Sequence, residues 1–168
     1  LHAFHSLPAQ DGENALLDHE IAYLQLRDVN PDYIDALMQP DAMTIPARMD
    51  EDNVARPEQS GPVFAIDPVQ GFLTMRYTAR TRSIVWKDDA PTRGAVAFLE
   101  QLLAGDHAHV FRLTLQPGMG LVCNNVLHDR AGFVDDPKQP RLLYRARYLD
   151  RIGEKYVQNQ PAALVKYA

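Results

Sequence analysis

Cysteine is almost absent from this sequence: Cys123 stands alone among 168 residues. One thiol excludes a disulfide framework and any four-cysteine zinc site. Basic residues are outnumbered, 17 Lys and Arg against 22 Asp and Glu, leaving a net charge of −5. No basic stripe tracks a phosphate backbone, so nucleic acid is not an expected partner. No apolar run approaches the roughly 18 residues of a membrane-spanning helix, and nothing at the start has the pattern of a signal peptide. A soluble protein in the cytoplasm is the expectation. Internal repeats and low-complexity tracts are also missing. What remains, 46% hydrophobic and 23% charged residues, is the balance of a single globular domain over residues 1–168. The opening, Leu1-His2-Ala3-Phe4, has no initiator Met and resembles a strand entered halfway. The expectation is therefore the C-terminal portion of a longer domain, with a processed N-terminus as the alternative.

The pattern along the chain is mixed. Ala15 to Leu26 places Leu16, Leu17, Ile21, Leu24 and Leu26 on a helical stripe. Asn30-Pro31-Asp32 has the chemistry of a helix start, running to about Met38 before Pro40. A short strand over Met43–Ala47 and a long polar loop fill 41–61. A hairpin follows, PVFAID and FLTMRYT, about the turn Pro68-Val69-Gln70-Gly71. Ser83 to Trp86 is a short apolar stretch. Thr92 to Leu103 is the clearest helix, with Gly105 at its end. His109–Leu115, Gly120–Leu127 and Arg141–Tyr148 alternate as strands. Strands in antiparallel-looking pairs beside two or three helices predict a mainly β protein with flanking helices, a β-sandwich or jelly roll.

The chemistry-bearing stretch is GLVCNNVLHDRAGFVDDPKQPRLLYRARY. His128 is placed at the end of an apolar strand. Arg141 follows thirteen positions later, then Arg145. On a strand Arg141, Leu143, Arg145 and Arg147 share one face. Several guanidinium groups there either receive an anion bidentately or pair with Asp135, Asp136 or Asp150 on the solvent face. Cys123, among apolar neighbours, is expected to be an inert buried thiol. His107-Ala108-His109 is either a His-X-His metal pair or two solvated loop histidines.

This segment resembles the C-terminal motif of the iron(II)- and 2-oxoglutarate-dependent dioxygenases of the taurine dioxygenase type, especially the γ-butyrobetaine and trimethyllysine hydroxylase branch. The resemblance implies a double-stranded β-helix, incomplete at its N-terminus. It implies Fe(II) as cofactor, 2-oxoglutarate and O2 as co-substrates, and hydroxylation of a small polar metabolite. Leu127-His128 matches the pair carrying the distal iron ligand, and Arg141 the arginine that binds the distal carboxylate of 2-oxoglutarate. Arg145 matches a second family arginine. DGENALLDHEIAYLQLRDVNPDYIDALM resembles the family's Gly-Gly-acidic turn and the two helices after it. Asn14 stands where a hydroxyl residue helps bind 2-oxoglutarate, and Asp11 replaces the first Gly. RYTARTRSIVW resembles a strand pair near the substrate, which makes Tyr77, Arg82 and Trp86 substrate-binding candidates. Asn125 is a further one, on the strand before His128.

One family element is missing. The His-X-Asp/Glu motif that supplies the other two iron ligands would fall before Leu1. His2-Ala3-Phe4, His5-Ser6-Leu7 and His19-Glu20-Ile21 do not substitute for it. The chain on its own is therefore expected to show little dioxygenase activity. Association with a missing N-terminal portion, or a homo-oligomer, would satisfy open sheet edges. The alternative is a degenerate or truncated jelly-roll domain without catalytic iron, serving as a small-anion-binding or interaction module.

Overall fold

The computed structural model describes residues 2–5, 12–50, 53–77, 84–124, 126–132, 134, 138 and 142–146. The chain divides into two compact units, one of 15–112 with 126–129, the other of 1–14, 113–125 and 130–168.

The larger unit begins with the body of β2 (Asn14–Leu17), the central strand of a three-stranded sheet with β10 (Phe111–Leu113) and β11 (Leu127–Arg130). This corrects the helical reading of Ala15 to Leu26. A strand with neighbours on both sides buries both faces, so its apolar residues run together and imitate a helical stripe. The helix itself, α1 (His19–Val29), starts where Asp18 accepts the Glu20 N–H at 2.8 Å. Asn30 ends it and opens α2 (Pro31–Leu37): its N–H donates to the Leu26 carbonyl, and its side chain accepts from Asp32 N at 3.1 Å. Pro31 in the first turn forfeits no helical hydrogen bond.

The short strand expected over Met43–Ala47 is present, and the loop expected after it is instead built of further short strands. β3 (Met43–Ile45) lies between β6 (Gln59–Gly61) and β9 (Val85–Trp86), and β4 (Arg48–Asp50) pairs with β5 (Asn53–Arg56). Their side chains are largely polar, so the ladder, not alternation, defines them. Thr44 and Ser60 stand opposite each other, with their hydroxyls 2.6 Å apart. The hairpin of β7 (Phe64–Ile66) and β8 (Leu73–Met75) matches the sequence reading, with Phe64 opposite Met75 and Ile66 opposite Leu73. Asp67 Oδ1 accepts from Val69 N and Gln70 N, and Gly71 closes the turn at φ 74°. After β8, Arg76 donates to the carbonyls of Met43 and Gly61 at 2.7 and 2.9 Å. It thereby ties the hairpin to the β3–β6 ladder.

α3 (Ala90–Ala104) is capped by Asp89, which accepts from Thr92 N at 2.7 Å. Gly105 caps its other end as expected, with its N–H donating to the Gln101 carbonyl at 2.9 Å. Gly105 sits at φ −76°, outside the left-handed region. The last carbonyls are satisfied by Arg112 Nη2, which donates to Leu103, Ala104 and Gly105. Gly94 lets α3 approach α2: a Cβ there would meet the Tyr33 hydroxyl at 2.7 Å and its ring at 2.9 Å.

The core of this unit gathers Leu17, Leu26, Leu37, Met43, Val63, Phe64 and Leu99, each at most 1% exposed. Each such side chain contributes about 1.5–3 kcal/mol by leaving water. His19 is buried with them, and its Nε2 donates to the Leu73 carbonyl at 2.9 Å, linking α1 to β8.

In the smaller unit, β1 (His2–His5) pairs antiparallel with β12 (Leu142–Tyr144), His2 opposite Tyr144. Pro117-Gly118 turns as expected, with Gly118 at φ 80°. Residues 121–124 are not a strand, contrary to the reading of Gly120–Leu127. Val122 is 69% exposed and Cys123 is exposed, so the expected buried thiol is corrected: no strand there turns Cys123 inward. Among the described residues there are twelve strands in five small sheets and three helices, a β-rich fold with helices as expected. No described helix is long and apolar enough to cross a membrane.

Candidate active site

His128 lies inside β11, one residue after its start, rather than at a strand's end. The preceding Leu127 is 3% exposed and packs into the core, while His128 is exposed. The strand thus anchors Leu127 in the core and leaves the three residues after it exposed. The imidazole Nδ1 lies 2.8 Å from the Val126 carbonyl. A carbonyl only accepts, so Nδ1 carries the proton and Nε2 keeps its lone pair. That is the tautomer a metal-binding histidine needs, fixed by the hydrogen bond of its other nitrogen.

Tyr77 and Trp86, nine positions apart in sequence, are brought together. Their ring centroids are 5.9 Å apart and their planes are tilted by 32°. The Tyr77 hydroxyl is buried and has no hydrogen-bond partner. Burial, then the carboxylates of Glu100 and Asp129, push its pKa up to about 12. Glu100 is on α3, and Asp129 follows His128 on β11. Neither neighbour of Tyr77 was legible beforehand, because both reach it only through tertiary packing.

Asn14 is buried, and its Nδ2 donates to the Leu113 carbonyl at 3.3 Å. The turn before it uses Gly12 at φ 89°, where an L side chain would be strained. Arg145 is exposed just beyond β12. Arg141, Arg82 and Asn125 lie outside the described residues. His107 and His109 have ring centroids 5.4 Å apart, and the His109 N–H donates to His107 Nδ1 at 3.3 Å. That contact uses one ring nitrogen in a local turn.

Residues 1–147 match the family described as "Taurine catabolism dioxygenase TauD, TfdA family". The chain belongs to this family. It is also similar to a uridine-5'-phosphate dioxygenase of an Amycolatopsis species, 31% identical over 144 residues, which cover 83% of this chain and 50% of the relative. The chain therefore spans half the length of the curated relative it matches.

As a TauD/TfdA family member the chain can be asked whether its residues would hold a metal. Among the described residues no three His, Cys, Asp or Glu side chains form a group able to do so. His128, with Nε2 bare and solvent-facing, fits one ligand position. The described residues do not by themselves complete a metal centre.

Proposed function

We propose that this chain is the part of an Fe(II)- and 2-oxoglutarate-dependent dioxygenase that supplies the distal iron ligand and the co-substrate arginine, in a double-stranded β-helix domain. The observation that supports the reading is the His128 imidazole, whose Nδ1 donates to the Val126 carbonyl and leaves Nε2 for a metal, at the position where the family resemblance has its Leu-His pair. His128 Nε2 would be one ligand of a two-histidine, one-carboxylate site. Fe(II), when bound, supplies the oxidising chemistry, and 2-oxoglutarate is consumed to succinate and CO2.

The protein's own groups bind and orient. The planar guanidinium of Arg141 would take the distal carboxylate of 2-oxoglutarate through two parallel hydrogen bonds. Arg145 would hold a second anionic group. Asn14 would assist at the co-substrate as a donor, its Nδ2 exchanging the Leu113 carbonyl for an oxygen of 2-oxoglutarate. Tyr77, Trp86, Arg82 and Asn125 are the candidates for substrate contact. The substrate is a small polar metabolite: a γ-butyrobetaine-, trimethyllysine- or taurine-like molecule on the family resemblance, or a nucleoside phosphate on the name of the relative.

The test is succinate formation by the full-length natural protein. Succinate should appear from 2-oxoglutarate only when Fe(II) and O2 are both supplied. Failure to form it with iron bound would contradict the reading and favour an anion-binding module.

A further inference from the structure

In the sheet of β10, β2 and β11, successive side chains of a strand point to opposite faces, and the core tells the two faces apart. Ala15 and Leu17 on β2 are buried in the core, so the half-buried Leu16 between them points the other way. On β10, Phe111 stands between Val110, which packs against the core, and Arg112, whose guanidinium reaches the last carbonyls of α3. Phe111 therefore turns away from the core, and it is 60% exposed. On β11, Leu127 is in the core, so His128 projects from the face opposite to it. β2 lies between the other two strands, so the outward face carries Phe111, Leu16 and His128 from one edge to the other. All three belong to the larger unit. Neighbouring strands are about 4.8 Å apart, which puts the strand of Phe111 about 10 Å from that of His128.

Leu16 and Phe111 carry neither charge nor hydrogen-bonding side-chain groups, so what they hold is apolar. An aromatic side chain left this open beside a second apolar one marks a surface that something else covers. His128, with Nε2 bare, gives the same face the group that anchors a ligand through a metal. We propose that Leu16 and Phe111 form an apolar floor beside the His128 site, over which the uncharged part of the oxidised substrate lies, with Phe111 selecting substrates that carry a hydrocarbon or ring group there. The proposal rests on the dioxygenase reading, which supplies the metal at His128. It disfavours a taurine-like substrate, whose short hydrocarbon link lies between two charged ends, and favours one with a longer hydrocarbon segment or a ring.

The probes are N-oxalylglycine, an unreactive isostere of 2-oxoglutarate, and the D and L forms of N-oxalylphenylalanine, which add a benzyl group to the same chelate. Their affinities are measured by calorimetry on Fe(II)-loaded, oxygen-free full-length protein, wild type and Phe111→Ala. In wild type one enantiomer should bind about tenfold more tightly than N-oxalylglycine, the effect of removing roughly 55 Å² of apolar surface from water. Phe111→Ala should lose most of that gain while binding N-oxalylglycine as wild type does. Its melting temperature should move by no more than about 2 °C, because the side chain is exposed. A gain absent from both enantiomers, or kept in Phe111→Ala, would overturn the proposal. So would a melting temperature several degrees lower, which would mean that another part of the full-length protein packs on Phe111. Failure of N-oxalylglycine itself to bind wild type is a different result: it would remove the dioxygenase reading, and this proposal with it.

Discussion

If the proposed function holds, His128→Ala should lower 2-oxoglutarate turnover by the full-length protein more than about 100-fold, since even residues that only support a metal ligand are worth about 10–100-fold. The fold should hardly notice. The side chain is exposed and contributes one hydrogen bond, to the carbonyl two residues earlier on its own strand. Exposed substitutions of this kind stay within about 0.5 kcal/mol, so the melting temperature should move by no more than about 2 °C. The pairing of a large catalytic loss with an unmoved melting point separates a ligand from a structural residue. Succinate formation and a thermal melt on the same preparation check it. A variant that keeps a third of its turnover, or that loses turnover only by unfolding, would show that His128 is not a ligand.

Phe64→Ala should have the opposite signature. Phe64 is fully buried, and Tyr23 packs edge-on against it with ring centroids 5.5 Å apart. Truncation removes transfer energy and leaves a cavity that neighbours fill only in part, a loss of about 3–5 kcal/mol. At roughly 2–4 °C per kcal/mol for a chain of this length, the melting temperature should drop by about 6–20 °C. Ile66→Ala is the control on the same strand. Ile66 is 53% exposed, and its truncation should cost well under half as much. Equal shifts for the two variants would mean that β7 is not the strand that seals this core.

How much of this was legible depends on where each signal comes from. Local chemistry read well. Asn30-Pro31-Asp32 opened a helix, and the 67–71 turn closed a hairpin, because caps and turn residues act within four positions. Signals that depend on neighbours read badly. Ala15, Leu16 and Leu17 looked helical because a strand with partners on both sides buries residues continuously. The strand at Met43–Ile45 was read, but the later ones within 41–61 were missed because Ser60 and Gln59 pair with it through backbone and hydroxyl groups, without an apolar face. Cys123 was misplaced because alternation was assumed where no strand exists. At the site, His128 was expected at the end of a strand and lies inside β11. The Val126 hydrogen bond that sets the tautomer, and the approach of Tyr77 to Trp86 and Asp129, are products of folding.

The proposed function requires Arg141 to bind the distal carboxylate of 2-oxoglutarate. The most direct measurement is 2-oxoglutarate affinity in Fe(II)-loaded, oxygen-free full-length protein, compared between wild type and Arg141→Ala. Hydrogen bonds to charged groups contribute about 1.5–3 kcal/mol, so affinity should fall about 10- to 150-fold while iron binding is retained. Unchanged 2-oxoglutarate affinity in Arg141→Ala would contradict the account.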